Sequence, residues 1–509
     1  MVSGGLRWER EQLPPPIAAM VNQELPLTGK LPSLGNDWGP RISLALGSAE
    51  SHWPVLRVGY GMYFGRTENA TVETALTQTG SADGDQYFFM RPADDCQACA
   101  GGAPAFPYVL RPPGPGSMVR PGAAEFAGNF RNPEVHQAVA AVEEELPGHV
   151  QVTASALASL ARRLPVFIDM NLGPAAEAGT ITYQVCDSMV ATSTSGQCGF
   201  TGAGPIKSAQ ITVPFYASVP SSAFLGWLNN DYQQIDQMTS EANSTYEAAV
   251  LKVERYGRRG LSLHAHYTYA HAMDWNPGES PLEPSPAGFS REEYGASDLD
   301  MRHSAAGMVI YEAPWKLHNT AGRLGNGWMI SAIAQFHSGL PYTMRTSGSL
   351  PECVVSAGIT PCTLPNAVPG TNAGDLLLGL RSGMNGSGGD NRVYGVGSDG
   401  HVYNIGRNTY RYPATWKADM RVGKKFDLGR MRELELLVES FNLFNHQNVT
   451  ELETTGYYLE SGTSEGSLPT LNFLTGLKPN TTAFGQPLNV NATNFYRERQ
   501  IQAGIRMRF

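Results

Sequence analysis

Segments of alternating apolar and polar residues run through this chain, and the links between them alternate strictly between short and long. Along an extended strand, successive side chains point to opposite faces, so alternation marks a strand with one apolar face. The last strand states it plainly. Ile501, Ala503, Ile505, Met507 and Phe509 share one face, and Gln500, Gln502, Gly504, Arg506 and Arg508 share the other. The pattern recurs at 55–64, 260–271, 327–337, 416–426 and 433–441, and more weakly at 2–10, 39–47, 134–145, 149–160, 244–255 and 301–313. That makes about twelve strands, each near the 9–11 residues that a tilted strand needs to cross a bilayer. Short links fall at 48–54, 146–148, 256–259, 314–326 and 427–432. Long links fall at 11–38, 65–133, 161–243, 272–300, 339–415 and 444–497.

A soluble sandwich has no reason to place every long link at one end of its strands. A transmembrane barrel does, with short periplasmic turns and long extracellular loops. The expected fold is therefore all-β: an antiparallel transmembrane β-barrel portion of about twelve strands, with its C-terminus on the periplasmic side. Charged residues are 16% of the chain, below the rough quarter of a soluble domain. Hydrophobic residues reach 41% yet mean hydropathy is negative, so the apolar residues are dispersed. No window approaches a membrane helix. The net charge of -9 argues against a nucleic-acid partner. Aromatics gather near strand ends, at Trp8, Trp53, Tyr63, Phe64, Trp328, Phe336, Trp416, Phe426, Phe441 and Phe509, where interfacial girdles belong.

The six cysteines form three close pairs in Gly-, Pro- and Ser-rich stretches: Cys96 with Cys99, Cys186 with Cys198, and Cys353 with Cys362. Such spacing suits loop disulfides in an oxidising compartment. Cys96-Gln-Ala-Cys99 is also the spacing of redox and zinc sites, with no second CxxC beside it.

Chemical motifs are few. His264 and His266 share a strand face, with His271 and His303 at neighbouring strand ends; polar lumen residues account for them as simply as a metal cluster. Gly59, Gly61 and Gly65 miss dinucleotide spacing, with no helix expected after them, and fit a curved wall better. Glu433, Glu435 and Glu439 face the basic residues Arg421 and Lys425 of the preceding strand, which makes cross-strand pairing the simpler account than paired-carboxylate catalysis. Asp298 and Asp300 could hold calcium, but no EF-hand spacing follows. No GxSxG or HExxH occurs. No enzyme activity and no cofactor is expected.

Several segments resemble TonB-dependent transporters of the Oar-like kind. Phe441-Asn442-Leu443-Phe444-Asn445 is similar to the NLFN stretch near the end of their barrels, and 499–509 to their final strand. Gly5-Leu-Arg-Trp-Glu9 with Leu13-Pro-Pro-Pro16, Arg57 to Gly65, Tyr267 to His271, Asp300 to His303, and Gly327 to Ser331 with Ser338 to Pro341 add to the likeness. The resemblance runs from residue 5 to the C-terminus. It implies a cell outer membrane location, uptake of a large nutrient (an oligosaccharide, peptide or siderophore-like molecule), and a terminal Phe509 read by barrel-assembly machinery. Outer-membrane lipid is then a partner. The family's signal peptide, plug domain and TonB box have no counterpart in 1–509, so the TonB complex would be reached only through a missing N-terminal region. A secreted soluble all-β surface binding protein and a self-closing passive pore are the alternatives.

Overall fold

The computed structural model describes residues 1–47, 53–88, 121–171, 175–186, 200–218, 229–275, 294–347, 393–396, 402–460 and 468–509, short gaps within several of these segments excepted. Twelve antiparallel strands form its wall, each bonded to its neighbour in sequence. They are β1 (Val2–Glu11), β2 (Leu34–Leu46), β3 (Val55–Phe64), β4 (Glu134–Leu146), β5 (Val150–Asp169), β6 (Gln234–Arg258), β7 (Leu261–Asp274), β8 (His303–Glu312), β9 (Trp328–His337), β10 (Thr415–Gly429), β11 (Arg432–Phe441) and β12 (Gln500–Arg508). All twelve expected segments are strands, and short and long links alternate as the sequence implied. The free edges of β1 and β12 pair with no described strand. No described helix is long and apolar enough to cross a membrane.

Register assigns each side chain to a face. One row across the wall reads Ala503, Val438, Val422, Ile330, Tyr311, Leu261. The next row over reads Gln502, Glu439, Arg421, Ser331, Ile310, Ser262. The first face is apolar and uncovered: Ile505 is 77% exposed, Leu6 65% and Ile42 58%. A band of this kind is stable only against something apolar. The second face is mostly polar, but Val139, Leu157, Ile333 and Leu437 also lie on it.

The tight β6–β7 turn needs Gly260. It sits at φ 79°, and an added Cβ would collide with the Glu312 carbonyl.

Three differences from the sequence reading have physical causes. The twenty residues of β5 and the 25 of β6 run well past the expected 149–160 and 244–255. Ala161, Val166, Ile235, Met238, Thr239 and Ala242 in these extensions are buried, so the covered stretches lose their alternation. Secondly, Lys424 belongs to the apolar face, between Leu436 and Trp328 in register. Its ammonium reaches back over the Trp328 and Phe426 rings, at 5.4 and 5.0 Å, and bonds the Asn326 carbonyl. That is how a long cationic side chain keeps its head out of an apolar layer. Thirdly, a helix does follow Gly65, at Asn69–Thr77.

That helix belongs to a folded cap at the long-link end. Its Val72 and Ala75 join Leu34, Phe126, Phe130 and Met238 in a buried cluster, with Leu13, Leu31, Leu76 and Phe167 packed around it. Pro121–Phe126 pairs in parallel with the start of β6. A separate five-stranded sheet joins Ala175–Cys186, Ser208–Ser218, Thr470–Phe473, Thr455–Glu460 and Arg345–Ser347, drawn from three long segments. The globular core therefore lies in the cap. Wall side chains face one side or the other and bury little between them.

Of the cysteines, the backbone of Cys186 ends one of these cap strands. Cys96, Cys99, Cys198, Cys353, Cys362 and the Cys186 side chain lie outside the described residues, as do the proposed pairings.

Candidate functional site

At the long-link end, Asp300 is fully buried and ties three segments together. Its carboxylate accepts from the Ala272 N–H at 2.8 Å, lies 3.2 Å from His271 Nδ1 and 3.2 Å from Arg302 Nε, and is bonded by Arg411. Arg411 also donates to the Asp300 and Gly339 carbonyls, at 2.8 and 3.2 Å. Burial pushes the carboxyl up. The Ala272 N–H, Arg411, His271 and the Arg302 charge outweigh it and hold Asp300 below the ordinary aspartate range. A depressed folded value means stability that is present above the unfolded pKa of about 3.9 and lost as pH falls through the folded one. We expect the cap segments around 294–302 and 410–412 to stay docked at pH 5 and to loosen only as pH falls below that ordinary range. Proteolysis of the cap as a function of pH measures this.

Asp298 accepts a 2.6 Å bond from Asn408, and no group of three metal-type ligands occurs among the described residues. The calcium reading has no geometry behind it. Nor do the four histidines converge. His264 lies on the polar face, 3.3 Å from Glu254 and against the Tyr256 ring. His266 is on that face opposite Lys252. His303 is on the apolar side, 2.7 Å from the Tyr267 hydroxyl, and His271 is spent on Asp300.

Beside Arg411 four rings gather. Tyr342 is 5.7 Å from Tyr410 (stacked), 5.2 Å from Tyr412 and 6.0 Å from Phe484, and Tyr410 is 4.9 Å from Phe484. All are half-buried. Burial pushes the Tyr342 and Tyr410 hydroxyls up, so they stay neutral donors. Flat rings with polar tips suit stacking on another ring or on a sugar face. Neither ring cluster nor knot was legible in sequence, because their residues come from the end of β7, from 300–302, 339–342 and 410–412, and from Phe484, and share no period.

The Phe441–Asn445 motif is a clip at the end of β11. Asn442 takes φ 48° and is buried. Its N–H donates to Asp419 Oδ1 at 2.8 Å. Its side-chain amide donates to the His446 and Arg497 carbonyls, both at 2.9 Å, and accepts from the His446 N–H at 3.0 Å. Asn445, at φ 52°, accepts from the Arg499 N–H at 3.0 Å. The clip thus joins the exit of β11 to the entry of β12. Leu443 donates its N–H to the Ala418 carbonyl at 2.7 Å. Phe441 and Phe444 are exposed, with Phe444 5.8 Å from the Trp416 ring. Asn442→Ala removes three side-chain bonds at a positive φ and is expected to cost about 1–3 kcal/mol. Denaturant unfolding of the membrane-inserted chain measures it.

On the polar face, Glu435 lies 3.2 Å from Arg421 and 3.5 Å from Arg506, and Glu439 lies 3.6 Å from Arg421. Arg421 pairs as expected. Lys425 does not: it stands opposite Glu435 in register, but Arg421 and Arg506 take that carboxylate. Glu433 stands between Asp427 and Arg508. Phe509 closes the chain, 88% exposed.

A family model described as an outer membrane beta barrel domain matches residues 20–502. The chain belongs to that family. In a barrel of this kind an uncovered apolar face is the one turned toward lipid and a polar face lines the lumen, and the two faces are named accordingly below. The short links are periplasmic turns, the cap is extracellular, and the protein resides in the outer membrane. No curated protein matches the chain. Among solved structures, the outer membrane transporter YddB from Escherichia coli is similar at 6% identity and TM-score 0.38, covering 86% of this chain and 39% of that one. The FrpB iron transporter from Neisseria meningitidis is similar at 9% identity and TM-score 0.35, over 87% of this chain and 39% of that one. The ferric-catecholate import receptor Fiu from E. coli gives 9% and 0.31, over 86% and 34%. The chain thus spans well under half the length of these structures. The family assignment rests on the family model.

Proposed function

We propose that this barrel wall belongs to a TonB-dependent transporter that takes up a scarce large nutrient, an oligosaccharide, a peptide or a siderophore-like molecule. The observation that carries the reading is the one-sided cap: the described parts of the long segments gather at one end of the wall, where the Tyr342, Tyr410, Tyr412 and Phe484 rings stand beside Arg411. Below that mouth the lumen is charged and hydroxylated, as a path for a polar solute needs. Coupling to a TonB complex, reading of Phe509 by assembly machinery, and the Oar-like subtype belong to the same proposal. A strain lacking the gene supplies the test. Uptake of labelled oligosaccharides, peptides and iron chelates is compared with the parent, with and without a protonophore. The reading expects one class to lose uptake that the protonophore also abolishes. Unchanged energised uptake of all three classes would overturn it.

A further inference from the structure

The first five strands hold a feature that the extracellular mouth does not use. Two cross-strand rows face the lumen side by side. From β1 to β5 one reads Gly5, Arg41, Gly61, Gln137, Ser159, and the other Ser3, Ser43, Gly59, Val139, Leu157. Gly5 beside Arg41 and Gly59 beside Ser43 leave side-chain space open, while the Tyr63 ring lies over Gly61 on the other side of Arg41. The result is an open hollow of about 620 Å3 lined by these residues and Tyr63. Nothing lies within 4 Å of where a Gly5 Cβ would stand.

Arg41 is the one cation in this lining. Its guanidinium carbon rests 4.4 Å from the centre of the Tyr63 ring, and its buried Nε has no hydrogen-bond partner among the described residues. No described carboxylate pairs with it. Its neighbours on the same stretch of wall are different: Arg57 meets Glu143 at 3.6 Å and Arg163 meets Glu134 at 2.8 Å. A guanidinium set over a ring, with no described carboxylate partner, presents a donor fork that matches the geometry of a carboxylate. A small anion would leave the other row idle. Val139, 45% exposed, and Leu157 supply an apolar floor one residue-row away, with the Ser3 and Ser43 hydroxyls on the same row.

We propose that this hollow is a lumenal binding site for a small free carboxylate with a compact apolar body. The carboxylate would sit on Arg41, and the body would cover Gly59, Val139 and Leu157. The proposal rests only on the assignment of the lumen face. It stands or falls separately from nutrient recognition at the mouth.

The probe is 3-phenylpropanoate, titrated calorimetrically into the full chain folded in maltoside micelles, with 3-phenylpropanamide as the uncharged match. Far-UV circular dichroism checks that each variant is folded. Binding of the acid, with the amide and R41Q each weaker by about tenfold or more, is the expected result. Gly5→Phe should abolish binding by filling the hollow, since open space receives its ring. Four results would overturn the proposal: no binding of the acid, equal binding of acid and amide, unchanged binding by a folded R41Q, or binding only of a carboxylate carried on a glutamyl peptide.

Discussion

Arginine at Ala332 or Ile505 is expected to block insertion, whereas arginine at Ser331 leaves the barrel assembled. The two classes of site are adjacent in sequence and opposite in environment. Ala332 stands between Val309 and Met420 on the lipid face, and Ile505 stands beside Leu436. Ser331 stands between Ile310 and Arg421 on the lumen side, where water screens the added charge. A cation at the bilayer midplane costs roughly 2–4 kcal/mol on a barrel's lipid face and falls toward zero near the interfaces. Gly504 is a poor lumen control, because a Cβ there would lie 3.0 Å from Leu437 Cδ1. Protease protection after insertion into outer-membrane lipid separates the outcomes. Equal tolerance at Ala332 and Ser331 would show the face assignment to be wrong.

Removing Asp300 is the second large effect. In Asp300→Ala, Arg302 and Arg411 lose their shared counter-ion and the Ala272 N–H loses its acceptor. Breaking one side of a buried charge pair costs about 3–5 kcal/mol. The arginine side chains are 32% and 31% exposed, so water recovers part of that loss. About 2–3 kcal/mol remains, and it should fall on the cap alone. Hydrogen exchange at Ala272 and proteolysis within 294–302 should accelerate while the wall strands stay protected. Asp300→Asn, which keeps an acceptor for Ala272, should lie between. Whole-barrel destabilisation by either variant would contradict the local role.

The wall was almost fully legible in the sequence, and the cap was not. Lipid on one side and water on the other impose a period of two on each strand, and 501–509 displays it without interruption. That same pressure fixes the parity of links, because strands that cross a membrane must return. Where β5 and β6 leave the membrane they are covered on both faces, at Val166 and Ala242 for instance, and the period vanishes. The Asp300 knot assembles residues from the end of β7 and from two long segments, and nothing local in Asp298-Leu-Asp300 says that Arg411 will arrive. The NLFN-like motif was legible as a motif only. Its role as a clip follows from the positive φ of Asn442 and Asn445, which asparagine tolerates better than most residues. The alternating glycines of β3 were read as relief of crowding. In place, Gly61 makes room for the Tyr63 ring and Gly65 for Pro133, which is relief of crowding, while Gly59 adjoins the lumenal hollow.

The central claim is that one face of this wall meets lipid and the other meets water. Spin labels placed one at a time along Trp328–His337 of the chain in outer-membrane bilayers test it most directly, because β9 lies well inside the wall with a partner on each side. Collision with dissolved oxygen reports lipid, and collision with a water-soluble nickel chelate reports solvent. The account predicts a period of two with the probes out of phase: oxygen dominant at 328, 330, 332, 334 and 336, nickel dominant at 329, 331, 333, 335 and 337. Nickel access at every position, or no alternation at all, would contradict it.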